Sequence, residues 1–196
     1  MIGKELHKFA SELWPLNRSL TGEGVRETLN KISKHLPNLV LKSVPSQTQV
    51  FDWTVPQEWA VREAYIITPN GEKICDFSEN NLHLLGYSIP FSGKLTLDEL
   101  KNHLYTSPEQ PEAIPFVTSY YKKRWGFSLT QNQFNSLEDG IYKVMIDTKL
   151  FDGELNYAEL LIHGKSEKEI FLSTYICHPS MANNELSGIA VTTFLA

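Results

Sequence analysis

The apolar run at residues 169–176 and the polar loop behind it constrain this chain more than any other segment. Ile170, Phe171, Leu172, Tyr175 and Ile176 crowd into eight residues, a density expected of a central parallel strand covered on both faces. His178 follows at the carboxyl end of that predicted strand, then Asn183-Asn184-Glu185, then Ser187-Gly188 and an apolar stretch, 189–196, that reads as the opening of a helix. Open α/β sheets place their chemistry in such a loop, between a strand end and a helix. The segment therefore predicts an α/β fold with its site at residues 177–188.

Upstream, the texture of the chain changes twice. Leu6, Phe9, Ala10, Leu13 and Trp14 fall at helical spacing, which predicts a helix over 3–14 that Pro15 ends. A loop at 19–24 offers Thr21 or Gly22 as cap for a second helix, with Val25, Leu29, Ile32 and Leu36 on one face. Residues 39–44 read as a strand. From 48 to 118 the pattern is mostly β. Strands are expected at 49–55 and 58–68, the second returning through the turn Pro69-Asn70-Gly71-Glu72 to 73–77. A short helix capped at Thr96 and a proline-bearing linker at 107–112 close this section. Beyond it, short helices are predicted at 118–125 and 131–137, and amphipathic strands at 140–147 and 155–162 with a turn at 151–154. The resulting division is an α/β domain of residues 1–47 and 119–196, interrupted by a β-rich insertion at 48–118.

Composition narrows the partners. Hydrophobic residues make up 41% and aromatics 11%, enough for a packed core. A net charge of -5 argues against nucleic acid, whose phosphates demand a concentrated basic surface. No segment approaches the roughly 18 apolar residues of a membrane span, and the N-terminus lacks the apolar centre of a signal peptide. Cys75 and Cys177 lie too far apart to suggest a disulfide framework, so reduced thiols and a cytoplasmic setting are expected. The β-rich section offers a surface for a homodimer.

The order His178, Asn183-Asn184-Glu185, Ser187-Gly188 resembles the first ligand segment of zinc-dependent aminopeptidases that use a co-catalytic metal pair. The likeness extends to residues 13–24, 51–56, 115–121, 124–127 and 177–188. Over that span the chain is similar to the N-terminal half of a bacterial aminopeptidase-like family of unassigned function, in which a small β-rich domain interrupts the peptidase fold. The resemblance implies a partial zinc-exopeptidase-like mixed sheet with flanking helices. It also implies zinc as cofactor and a peptide or related amide as substrate, attacked by metal-activated water. By the same resemblance His178 is a zinc ligand, while the bridging carboxylate position falls on Asn184. An amide carries no charge and offers one oxygen, so Glu185 next to it is the nearer source of a carboxylate. Ser180 stands where the pattern usually has Asp. The family takes a Glu-Glu pair, a further acidic ligand and a final His from beyond the helix at 189–196, so this chain alone is expected to be inactive. A link to polysaccharide biosynthesis in the family keeps a rival open, a non-catalytic ligand-binding scaffold.

Each residue also has a plainer reading. His178 could be a hydrogen-bonded loop histidine, and Glu185 a capping residue favoured by the helix dipole. Asn183-Asn184 is also a turn former. Cys177 as a nucleophile with His178 as its base is disfavoured, because neighbours at a strand end point to opposite faces. Tyr120, Tyr121, Arg124 and Trp125 either line a substrate pocket or form a seam. Asn17, Arg18 and Thr21 read as a capping network. His83 and His163 read as strand residues, and Phe51, Trp53 and Trp59 as insertion core rather than a sugar-binding platform.

Overall fold

Helical periodicity puts the first two elements where the spacing predicts them in the computed structural model, which describes residues 2–196. α1 (Ile2–Leu13) buries Phe9 and Leu13, and α2 (Glu23–His35) buries Val25, Thr28, Leu29 and Ile32. Gly22, at φ 108°, is the N-cap of α2. At Gly24 a Cβ would run into the carbonyl of Asn17, so the turn between the helices admits only glycine there.

The chain continues through β1 (Val40–Pro45), β2 (Gln49–Val50), β3 (Trp53–Thr54), β4 (Glu58–Ile67), β5 (Lys73–Ile74) and β6 (Phe91–Thr96). It then forms α3 (Leu97–Lys101), β7 (Leu104–Tyr105), β8 (Phe127–Ser128), α4 (Gln131–Asn135), β9 (Ile141–Phe151), β10 (Glu154–Glu159) and α5 (Ser187–Leu195). These elements make a mixed α/β architecture of small sheets and helices. Among the described residues no helix is long and apolar enough to cross a membrane.

Two compact units result. The first joins the chain up to Glu58 to Phe151–Ala196, and the second is the continuous stretch Trp59–Leu150. In the first unit Phe9, Leu13, Val25, Leu29, Ile32, Leu186, Ile189 and Ala190 make one apolar core, which locks α1, α2 and α5 together. β1 and β10 pair antiparallel from Val40↔Glu159 to Pro45↔Glu154. In the second unit four strands run in the order β5-β4-β9-β6. Thr96 and Glu99 form the capping box that starts α3, as the sequence predicts, and Thr130 and Gln133 repeat the device at α4.

Several expectations are corrected. Residues 169–176 form no strand, and Ile170 and Phe171 are 91% and 88% exposed. Apolar content favours burial, but a strand also needs a neighbour for its N–H and C=O groups, and none of the described strands pairs with this run. Residues 119–150 lie within the second compact unit, where β9 pairs along β6 from Thr96↔Ile141 to Phe91↔Ile146. β6 is a strand for which the sequence pattern gives no prediction. The predicted strand at 49–55 is a tight hairpin whose turn residue Phe51, at φ 53°, is almost fully exposed and belongs to no core. No helix forms at 118–125, since Ser119 N–H bonds Gly86 O and Arg124 Nη2 holds Thr118 O at 2.7 Å. His83 sits in a 3-10 turn with Nδ1 2.8 Å from Ser128 O, and His163 lies outside any element.

Candidate metal centre

The backbone between the apolar run and α5 is bent twice, and the bends assemble the site. Ser180 adopts φ 46°, and a π turn over Ala182–Leu186 is closed by Leu186 N–H on Met181 O at 3.2 Å. Inside it Glu185 takes φ 124°, ψ -63°, a conformation that side chains with a Cβ rarely adopt. Strain of this kind persists where surrounding contacts over-determine it, and it clusters at functional sites. Here its effect is plain: the Glu185 side chain folds back, fully buried, and Oε2 accepts the backbone N–H of His178 at 2.6 Å. Gly188 next door lets the Thr174 side chain approach, since a Cβ there would lie 2.8 Å from Thr174 Oγ1 and push it aside.

Three donor groups converge. His178 Nδ1 stands 3.3 Å from Cys177 Sγ and 3.3 Å from Glu185 Oε2, and the three donor atoms lie within 4.8 Å of one another. The backbone at 177–178 is not a strand, so the alternation that would separate Cys177 from His178 does not apply.

The electrostatics follow from burial. Among the described residues Glu185 Oε1 is buried without a hydrogen-bond partner, and burial pushes the carboxyl up to about 8 against the pull of Arg18 and of the His178 and Cys177 backbone N–H groups. Burial, with the Glu185 carboxylate adding to it, pushes the Cys177 thiol up to about 11. His178 is lowered, first by burial and then by the Arg18 charge, so its imidazole is neutral at pH 7 and able to donate a lone pair. Arg18 is fully buried. Its Nη1 donates to Leu13 O, closing the end of α1, while Nε and Nη2 have no hydrogen-bond partner among the described residues. Burial pulls its own pKa down, opposed by the charges of Glu185 and Cys177.

Of the residues singled out in the sequence, His178 and Glu185 are brought together and Asn184 is not. Asn184 Oδ1 instead accepts the Tyr175 hydroxyl at 3.2 Å, and Ser187 Oγ donates to Asn183 O. Ser180 Oγ donates to Trp14 O at 3.3 Å. Tyr120, Tyr121 and Arg124 belong to the second unit. There Tyr120 packs edge-on to Tyr87, Tyr121 is 83% exposed, and Arg124 Nη1 reaches the Tyr105 hydroxyl at 3.4 Å. Cys177 and Arg18 went unrecognised as parts of the site. Arg18 lies in the loop that Gly24 lets pack against Asn17, and the strand alternation that would part Cys177 from His178 is absent.

A carboxylate buried with one oxygen unpaired, beside a neutral imidazole and a thiol, is a donor set that fits zinc. The chain is similar, at 53% identity over 194 residues, to a protein of Clostridium acetobutylicum described as "Putative polysaccharide biosynthesis protein with aminopeptidase-like domain". It superimposes with a TM-score of 0.95 and 53% identity on the crystal structure of a "putative peptidase" from Clostridium acetobutylicum. Those matches cover 99% of this chain but 44% of the first protein and 46% of the second, so the chain spans less than half of either. The family described as "Domain of unknown function (DUF4910)" matches residues 7–196, and the chain belongs to that family.

Proposed function

We propose that this chain contributes the first ligand segment of a zinc-dependent hydrolase of peptide or related amide bonds. The observation that carries this reading is the convergence of His178 with Glu185, whose Oε1 is buried and unpaired. His178 and Glu185 would hold the ion, and a bound zinc supplies a Lewis acid and a water of lowered pKa. The residues of this chain do the rest. Arg18 sets a fixed positive charge beside Glu185, favouring its carboxylate. The His178 N–H on Oε2 fixes the orientation of that carboxylate. The π turn, with Glu185 at φ 124°, turns that residue's side chain toward the interior. The likeness to an aminopeptidase-like protein and to a peptidase structure supports the amide substrate class.

The test is hydrolysis of aminoacyl anilides by a polypeptide of the relatives' full length carrying this chain. Chelator-sensitive turnover that is lost in His178→Ala supports the proposal. Zinc-loaded protein with no turnover across the panel contradicts it. A second reading, a non-catalytic scaffold with a ligand linked to polysaccharide biosynthesis, draws on Asn184, which is engaged by Tyr175 where a bridging carboxylate is expected. Saturable binding of an oligosaccharide without turnover would favour it.

A further inference from the structure

We infer that Cys177 is itself a zinc ligand, so that Cys177 Sγ, His178 Nδ1 and the Glu185 carboxylate form a one-thiolate site on this chain. The inference rests on the metal reading above for His178 and Glu185 and adds a donor that reading does not use.

Spacing carries the argument. Zinc holds sulfur at about 2.3 Å and nitrogen or oxygen at about 2.0–2.2 Å in a tetrahedron, which sets donor–donor edges of roughly 3.3–3.6 Å. The sulfur and the carboxylate oxygen each stand 3.3 Å from the imidazole nitrogen, close to those edges. The third separation, sulfur to carboxylate oxygen, lies within 4.8 Å, so closing the three donors on one ion requires those two groups to adjust toward the tetrahedral edge. Oε2 of that carboxyl already accepts the His178 N–H, while Oε1, fully buried and without a hydrogen-bond partner among the described residues, keeps its lone pairs for a further ligand contact. A thiolate, an imidazole and a carboxylate select zinc or cobalt over magnesium or calcium, which prefer oxygen donors alone. On binding, the Cys177 S–H bond breaks, its proton leaves to solvent, and the thiolate electron pair goes to the metal. Three protein donors leave a fourth position for water or another ligand.

Cobalt(II) in place of zinc provides the test on the chain as it stands. The expected result is visible bands of a four-coordinate ion with a thiolate-to-cobalt band in the near ultraviolet. That band persists in Cys75→Ser and vanishes in Cys177→Ser, whose zinc affinity falls at least about tenfold, as for loss of a supporting ligand partner. X-ray absorption of the zinc-loaded unmutated chain should show one sulfur neighbour at about 2.3 Å, independently of how the variant folds. Visible cobalt bands with no thiolate band and no sulfur neighbour would overturn the inference and leave His178 and Glu185 as ligands. A thiolate band lost in Cys75→Ser instead would overturn it as well. No cobalt bands at all would overturn both this inference and the metal reading beneath it.

Discussion

Two glutamates of the first unit are buried to the same degree and treated in opposite ways. Glu58, 5% exposed, has both oxygens satisfied: Arg26 Nη2 donates to Oε1 at 2.6 Å and Glu154 N–H to Oε2 at 3.2 Å. Burial would raise its pKa, but the Arg26 and Glu154 hydrogen bonds win and hold it below the usual carboxylate value. Glu185, 4% exposed, keeps one oxygen unpaired, sits in a strained backbone and is pushed up to about 8. One carboxylate ties α2 to the start of β4. The other has the Arg18 charge nearby but keeps Oε1 without a hydrogen-bond partner among the described residues. The contrast separates a hydrogen-bonded ion pair from the carboxyl proposed above as a metal ligand, because burial alone is common to both.

Removing each partner breaks the comparison from opposite ends. Arg26→Ala should leave Glu58 buried without its cation and cost about 2–3 kcal/mol in denaturant unfolding, less than a fully interior pair because Arg26 is partly exposed. Glu185→Gln should do the reverse in the metal-free chain, raising stability at pH 8 by on the order of 1–2 kcal/mol while abolishing zinc uptake. A loss of stability in Glu185→Gln at pH 8 would place Glu185 in the same class as Glu58.

The pH dependence sharpens the same point. Glu185 is raised in the fold, so the folded metal-free chain binds an extra proton between the ordinary value of 4.5 and about 8, and stability falls as pH rises through that window. His178, lowered in the fold, gives stability that rises with pH up to its ordinary 6.5 and partly masks the effect below that point. The clean window is therefore pH 6.5–8, where thermal unfolding of the metal-free chain should show a downward slope that Glu185→Gln removes. Glu58 has the opposite sign: its contribution stands above 4.5 and is lost on acidification. The smallest effect is expected for Tyr175→Phe, which deletes the hydrogen bond to Asn184. On a partly exposed pair it should cost under about 1 kcal/mol and leave metal stoichiometry unchanged. A drop in zinc content there would make Asn184 a participant after all.

The sequence was informative where local physics decides the outcome. Helical spacing set α1 and α2, the Thr96–Glu99 pattern set α3, and Pro69-Asn70-Gly71 set the turn between β4 and β5. It was misleading where neighbours decide. The apolar run at 169–176 has strand composition but no partner strand, and β6 is defined by its pairing with β9 more than by its own residues. At the site, His178 and Glu185 were legible as residue types in a suggestive order. Their convergence with Cys177 depends on a positive φ at Glu185 and on a non-strand backbone at 177–178, which no single-residue propensity encodes. The burial of Arg18 was hidden for the same reason, since its loop lies against residues distant in sequence.

The most direct measurement is zinc content by elemental analysis after dialysis against zinc, on the unmutated chain and on His178→Ala and Glu185→Gln. About one equivalent per chain, falling to background in both variants, is the predicted result. Background zinc in the unmutated chain, or a full equivalent retained in the variants, would contradict the assignment of residues 177–185 as a metal centre.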